Sequence, residues 1–361
     1  MDKILTLIIP TYNMEKYLRY CLDSLMVNGE GLDMLEVLVI NDGSRDCSLE
    51  IARGYEREYP RTFKVIDKEN GNYGSCVNRG LAEATGKYVK VLDADDSFDT
   101  ENFSLFLDFL QKTDADLILS DFAVVDSERN VRKIIRYDLG HGVSFDMDDV
   151  CTGHVFKNMQ MHAVTYRLEN LKSMGYRQTE GISYTDQQWI FIPMVSVKAV
   201  ARFGKPVYEY LVGRAGQTVD PSVKVKSIGQ TVQCALDMAG TYERYRSKVE
   251  GRPVKEYLFA RITPLLKDVY VYSLTHYDSM MKALVCGLDE ALAKTSAEIY
   301  EYIGSPRVSS FMGFEYIDYW RHHKNINAGI VKIMSMAYMF VLKLKKSGTG
   351  NDPMSVPTSF E

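Results

Sequence analysis

A chain of 361 residues with 46% hydrophobic and 25% charged residues is globular in composition, which excludes a mainly disordered or fibrous protein. Its 43 Lys and Arg against 48 Asp and Glu leave a net charge of -5, so the chain as a whole carries no electrostatic footprint for nucleic acid. Six cysteines (Cys21, Cys47, Cys76, Cys151, Cys234 and Cys286) show no C-x-x-C or metal-ligand spacing and fit small buried hydrophobes in a reducing cytosol better than a disulfide framework.

The first residues, MDKILTLIIP, enter a strand-like apolar run within four positions, which leaves no room for a signal peptide. Runs rich in Val, Ile and Leu at 4–9, 35–40, 63–66, 88–92 and 116–120 predict buried strands, each bounded by turn or polar residues. Between them, Leu18, Leu22 and Leu25 share a helical face after Asn13 as N-cap, Cys47 to Tyr59 follows Asp46, and a third helix runs from about Tyr73 to Ala84. This alternation predicts an α/β fold with a mostly parallel, doubly wound sheet, and ligands of such sheets sit beyond the carboxyl ends of the strands. From about residue 224 the pattern becomes helical, at 225–247, 254–277 and 286–303. The expected organisation is a domain over 1–220, a helical extension over 221–346 and a disordered tail over 347–361.

Three predicted strands deliver polar residues to one edge: Pro10-Thr11-Tyr12-Asn13, Asn41-Asp42-Gly43-Ser44 and Asp93-Ala94-Asp95-Asp96. Turns and caps use the same residue types. The third group is more telling, because three acids within four residues repel one another unless a cation or hydrogen-bond donors offset the charge. Hard oxygen ligands of this kind suit Mg2+ or Mn2+, which take one or two protein carboxylates together with phosphate oxygens. A metal-bound diphosphate is the matching ligand.

The order LIIPTYN, VLVINDGSRD and ENGNYGSCVNRGLAEATGKYVKVLDADD resembles the family 2 glycosyltransferases, with a GT-A nucleotide-sugar-binding fold, across residues 4–97. The resemblance implies an inverting transferase that moves a sugar from a nucleotide sugar, of the UDP type, to a saccharide hydroxyl. It implies Pro10, Thr11, Tyr12 and Glu15 around the base and Asp42 on the uracil or ribose edge. Asn72, Gly74 and Asn78 would lie under the nucleotide, although Asn78 also reads as a polar residue on a surface helix. Asp93 and Ala94 would border the ribose, and Asp95 would take the metal, Mn2+ or Mg2+.

An inverting reaction needs a base for the acceptor hydroxyl, and Gly181-Ile182-Ser183-Tyr184-Thr185-Asp186-Gln187-Gln188-Trp189 looks like the family's acidic motif. Thr185 stands where glutamate is common, leaving Asp186 as the sole carboxylate. Trp189 reads either as an acceptor-stacking ring or as a core residue. His162 and the Arg214 to Gln217 loop are candidate contacts to diphosphate or acceptor, arginine because its planar fork supplies paired donors.

From Arg321 to Lys346 there are six Lys or Arg and no Asp or Glu, and an apolar stripe at helical spacing runs from Ile326 through Ile330, Ile333, Met334, Ala337 and Phe340 to Val341. The run is shorter than the roughly twenty residues a spanning helix needs. It reads as an interfacial amphipathic helix on an anionic membrane, with a packed core helix as the alternative. The expected setting is cytoplasmic and peripheral on the inner face of the cell membrane, with a lipid-linked saccharide as acceptor. Two other functions compete: a haloacid dehalogenase-type phosphatase, from Asp93-Ala94-Asp95 after an apolar strand, and a nonenzymatic sugar-nucleotide or membrane-binding module.

Overall fold

The computed structural model describes residues 2–140, 143–183, 185–213, 221–311 and 314–323. The chain divides into two compact units, Met1–Gln217 with Arg252–Val254, and Thr218–Gly251 with Lys255–Glu361.

The first unit is built on one sheet. Strands β1 (Leu5–Thr11), β2 (Leu35–Asn41), β3 (Phe63–Asp67) and β4 (Tyr88–Val91) lie parallel in the order β3-β2-β1-β4. The near-continuous apolar runs of β1, β2 and β4 are buried on both faces, as inner parallel strands require, while the edge strand β3 exposes Lys64 and Asp67; Leu5, Leu7, Ile8 and Ile9 have no exposed surface. The register sets Thr11 beside Asn41 and Asn41 beside Asp67, so the polar strand ends form one row.

Past β4 the sheet is mixed. Strand β9 (Val164–Arg167) enters antiparallel between β4 and β6 (Leu117–Val125), and β6 runs parallel to β10 (Ala199–Leu211). Three shorter strands, β5 (Ser97–Phe98), β7 (Val131–Ile135) and β8 (Ser144–Asp146), pair antiparallel with β10, β6 and β10. Strand β10 crosses Gly204-Lys205-Pro206 with register shifts around Pro206, because proline gives the ladder no N–H.

Helices α1 (Leu18–Asp23), α2 (Ser48–Glu58), α3 (Asn72–Glu83) and α4 (Thr100–Lys112) cover the sheet. Leu18, Leu22 and Leu25 are fully buried, as their spacing predicts. Asn13 is not the cap of α1. It adopts φ +55°, donates its N–H to Ser44 Oγ at 3.0 Å and accepts the Arg45 N–H on Oδ1 at 2.8 Å. A short amide side chain tolerates this left-handed conformation, and here it ties the first strand end to the second.

In the second unit the described helices are Pro221–Val249, Val254–Thr275, Ser279–Thr295, Ala297–Gly304, Pro306–Ser309 and Tyr316–His322. The segment expected as one helix over 286–303 breaks at Ser296, whose Oγ accepts the Ile299 N–H and starts the next helix. Tyr242, Tyr257 and Tyr270 are buried. Arg321 does not belong to an open basic face: its Nε donates to Asp289 Oδ1 at 2.7 Å and its guanidinium lies 3.6 Å over the Tyr300 ring. The rest of the basic stripe, with Ile326 to Val341, lies outside the described residues. Among those described, no helix is long and apolar enough to cross a membrane.

Candidate active site

The strand ends β1 to β3 form the first wall. Asp42 continues β2, donates its N–H to the Thr11 carbonyl at 2.8 Å and is almost fully buried. Its Oδ1 accepts Lys68 Nζ at 2.5 Å and the Gly71 N–H at 3.0 Å, and its carbonyl accepts Asn70 Nδ2 at 2.9 Å. Lys68 Nζ also reaches Ser75 Oγ at 2.8 Å, so one carboxylate fixes the loop that leads into α3. Asn41 donates to Asp67 Oδ1 at 2.6 Å, while its buried Oδ1 has no partner among the described residues. Thr11 is buried and turns its hydroxyl back to the Ile9 carbonyl; Tyr12 is exposed beside it, and Pro10 is half-buried. Glu15 is engaged with the second strand end, its Oε2 accepting the Cys47 N–H and its own N–H donating to Asp46 Oδ2, both at 3.0 Å.

The acidic loop after β4 forms the second wall. Asp93 is half-buried and accepts Tyr73 OH on Oδ1 at 2.8 Å. Asp96 accepts Tyr208 OH at 2.5 Å and the Leu211 N–H at 2.7 Å. Burial, then the charges of Asp95 and Asp93, push its carboxyl well above the usual carboxylate range. Ala94 is buried, and Asp95 has its backbone carbonyl held by Arg129 Nη2 at 2.9 Å. Arg129 comes from the β6–β7 turn at φ +63°, with its guanidinium 4.2 Å over the Tyr20 ring.

A buried lysine stands behind this loop. Lys90 of β4 has no exposed surface; its Nζ donates to the carbonyls of His162 at 2.6 Å and Val164 at 3.2 Å, and burial lowers it to about 7. The His162 ring packs against Phe122, Tyr208 and Tyr210 at centroid distances of 5.0, 4.8 and 4.4 Å. Burial, then the Lys90 charge, lower His162 to about 3, which leaves a neutral imidazole. Among the described residues, Asp93, Asp96 and His162 form the group whose ligand atoms all lie within 4.8 Å of one another. Asp95, the residue the motif assigns to the metal, is outside that trio.

The third wall is the segment 178–189. Asn78 grips it, donating to the Gln178 carbonyl at 2.9 Å and Glu180 Oε1 at 2.8 Å and accepting the Gln178 N–H at 2.8 Å. Gln188 grips it from within, exchanging hydrogen bonds with the Thr179 N–H at 2.8 Å and hydroxyl at 2.7 Å. Gly74 sits so close that a Cβ would come within 2.0 Å of the Thr179 carbonyl oxygen. Asp186 opens the short helix Asp186–Trp189, which packs against the turn Met161–Ala163 that carries His162. Tyr73 and Tyr210 are both raised, by burial first and then by the charges of acids of the 93–96 loop and of Asp186.

Residues 6–174 match the family described as glycosyl transferase family 2. The uncharacterized glycosyltransferase MG025 of Mycoplasma genitalium is 32% identical over 179 residues, covering 48% of this chain and 59% of that protein. The minor teichoic acid biosynthesis protein GgaB of Bacillus subtilis is 32% identical over 115 residues, 31% of this chain and 13% of that protein. The first unit belongs to glycosyl transferase family 2. Crystal structures of S. aureus TarS 1-349 share its fold: one gives a TM-score of 0.63 at 16% identity, covering 96% of this chain and 93% of that one. A second, in complex with UDP-GlcNAc, gives 0.54 at 19% identity, covering 82% and 89%. The family 2 domain has the GT-A fold, and the chain spans about three-fifths of MG025 and much less of GgaB.

Within this family 2 domain the structure gathers Asp93, Ala94, Asp95, His162 and Asp186 about one site and sets the Asp42 strand end on the same sheet edge. It spends others on scaffolding. Asn78 uses both ends of its amide on segment 178–180, so it is not a free surface residue. Asn72 takes φ +64° at the start of α3, and Gly74 makes the close approach to Thr179. Trp189 is 1% exposed, edge-on to Tyr166 and Tyr176, and offers no face to an acceptor. Arg214 and Gln217 lie outside the described residues. Asn78→Ala is expected to cost about 2 kcal/mol, because the amide serves three hydrogen bonds to the 178–180 segment. Chemical denaturation checks it, and an unchanged midpoint would contradict the grip described.

Proposed function

We propose that the family 2 domain transfers a sugar from a nucleotide sugar, of the UDP type, to a hydroxyl of a saccharide acceptor with inversion at the anomeric carbon. What supports this is the acidic loop after β4, with Asp93 bonded to Tyr73 and Asp96 to Tyr208, at the same sheet edge as Asp42, beside a separate segment in which Asp186 opens a short helix. The UDP-GlcNAc complex of TarS supports the donor class.

In this reading the strand-end residues about Asp42 hold the nucleoside, and the 93–96 carboxylates hold a divalent cation, Mn2+ or Mg2+, with the donor diphosphate. Three acids with little solvent between them suit such an ion, which when bound neutralises charge developing on the leaving diphosphate. Asp186 takes the proton of the acceptor hydroxyl. The acceptor oxygen forms its bond to the anomeric carbon as the bond to the diphosphate breaks, and the nucleoside diphosphate leaves with that electron pair. Tyr73, protonated and donating to Asp93, holds that carboxylate on the donor side.

The acceptor in this proposal is lipid-linked, and the enzyme acts at the cytoplasmic face of a membrane in surface-glycan assembly. Lys324, Lys332, Lys343, Lys345 and Lys346 beside an apolar stripe support this, at about 1 kcal/mol per basic residue near an anionic leaflet. The place of GgaB in minor teichoic acid biosynthesis supports the glycan class. Calorimetry with UDP tests the site. Binding that needs Mn2+ or Mg2+ and falls at least tenfold with chelator is expected; equal affinity with chelator would contradict it.

A further inference from the structure

We propose that Lys90 and Tyr166 are positioning residues for Asp186: they seat the short helix that Asp186 opens against the central sheet, Lys90 through the turn Met161–Ala163 and Tyr166 through the last carbonyl of the helix. This rests on the reading of Asp186 as the base and adds to it the groups that hold the base in place.

A lysine is out of place at the centre of β4. The strand is buried throughout, Lys90 pairs with Leu7 of β1, and it has no exposed surface. Withdrawing an ammonium from water is costly unless its hydrogen bonds are replaced, and what Lys90 gives in return is geometry. Strand β9 is laddered to β6 as far as Val164, but to β4 only as far as the pair Val89 and Tyr166. Beyond that point side chains take over. Lys90 Nζ donates to the carbonyls of His162 at 2.6 Å and Val164 at 3.2 Å, and Ser120 Oγ of β6, also without exposed surface, donates to the Ala163 carbonyl at 3.4 Å. Three successive carbonyls are thus tied to the strands on either side.

The helix Asp186–Trp189 packs against this turn. Its last residue is tied a second time: the fully buried Tyr166 donates its OH to the Trp189 carbonyl at 2.8 Å, with its ring edge-on to the indole at 5.2 Å. A four-residue helix rises about 5 Å, so a shift at Trp189 or in the turn beneath reaches Asp186 with little slack. A misplacement of about 1 Å at a reacting group costs on the order of a hundredfold in rate. Lys90 Nζ also lies over the Tyr208 ring, 5.6 Å from its centroid, and Tyr208 donates to Asp96. An effect passed through the acidic loop would weaken UDP binding, whereas an effect passed through Asp186 leaves it unchanged.

Lys90→Met keeps the stem and loses the donors; Tyr166→Phe keeps the ring and loses its one donor. In the full chain with Mn2+, UDP release from the UDP-sugar that the wild type hydrolyses fastest should fall about tenfold or more in Lys90→Met and several-fold in Tyr166→Phe, with the UDP Kd within about twofold of the wild type. Neither substitution should lower the residual rate of Asp186→Asn further, because each acts through the group already removed. Hydrogen exchange, which needs no turnover, should quicken at the amides of residues 185–190 in both variants and of 161–164 in Lys90→Met.

Unchanged rates in both variants, a loss as large in the Asp186→Asn background as in the wild type, a loss explained by weaker UDP binding, or exchange that quickens at 161–164 without reaching 185–190 would overturn the inference. Suppressed release in Asp186→Asn beside normal release in Lys90→Met and Tyr166→Phe would remove the seat and leave the base standing. The linked exchange without UDP release from any sugar would keep the seat and remove the transferase reading.

Discussion

Asp186→Asn is expected to lower sugar transfer by about two orders of magnitude or more while leaving UDP affinity nearly unchanged. The substitution keeps the shape of the side chain and removes its basicity. Asp186 opens a four-residue helix in a segment held by Asn78 and Gln188, and its Oδ2 accepts Gln187 Nε2 at 3.1 Å, a bond an asparagine oxygen can keep. The groups proposed to hold the donor, Asp42 and the 93–96 loop, belong to other elements, so binding and chemistry should separate. Transfer kinetics with saturating donor, alongside UDP calorimetry, measure the two. A variant that keeps most of its transfer rate would remove Asp186 as the base.

Gly74→Ala should damage both stability and turnover. A Cβ there would stand 2.0 Å from the Thr179 carbonyl oxygen and 3.2 Å from Gln178 Cβ, and the nearer of these is backbone that cannot rotate away. Thr179 is itself pinned by Gln188, and the Gly181 N–H donates to the Gly71 carbonyl at 3.0 Å. Relief therefore requires moving the segment that carries Asp186. Overpacking of this kind costs about 1–3 kcal/mol, or roughly 2–12 °C in Tm for a domain of this size. Gly54→Ala in α2 is the control, since nothing lies within 4 Å of its Cβ position; it should be neutral or slightly stabilising. Equal melting temperatures and transfer rates for the two variants would contradict the close approach.

The nucleotide half of the fold was legible because its strands are long apolar runs with polar ends, and all five predicted runs are strands. Strands β9 and β10 were not foreseen: Val164–Arg167 is too short a run to stand out, and Ala199–Leu211 is broken by Gly204, Lys205 and Pro206. Asn13 has the residue type of a cap and serves as a left-handed latch, a difference set by a hydrogen bond to Ser44 that only the folded sheet creates. Of the site, the acids at 93, 95, 96 and 186 stood out by crowding or by motif. Lys90 was hidden inside the apolar run YVKVL, although a lysine in a strand expected to be buried on both faces is itself a signal. Gln178, Gln188 and Tyr208 were silent, because an amide or phenol that serves a network is indistinguishable in sequence from one on the surface. The hydrogen bonds of Asn78 to a segment one hundred residues away are of the same kind.

The central claim is that this site breaks and remakes a glycosidic bond to a nucleoside diphosphate, and release of UDP from a panel of UDP-sugars tests it most directly. With Mn2+ present and no acceptor, the wild type should release UDP slowly from one sugar in preference to the rest, and chelator or Asp186→Asn should suppress the release. No release from any UDP-, dTDP- or GDP-sugar by folded protein, or release that is indifferent to both chelator and Asp186→Asn, would contradict the account.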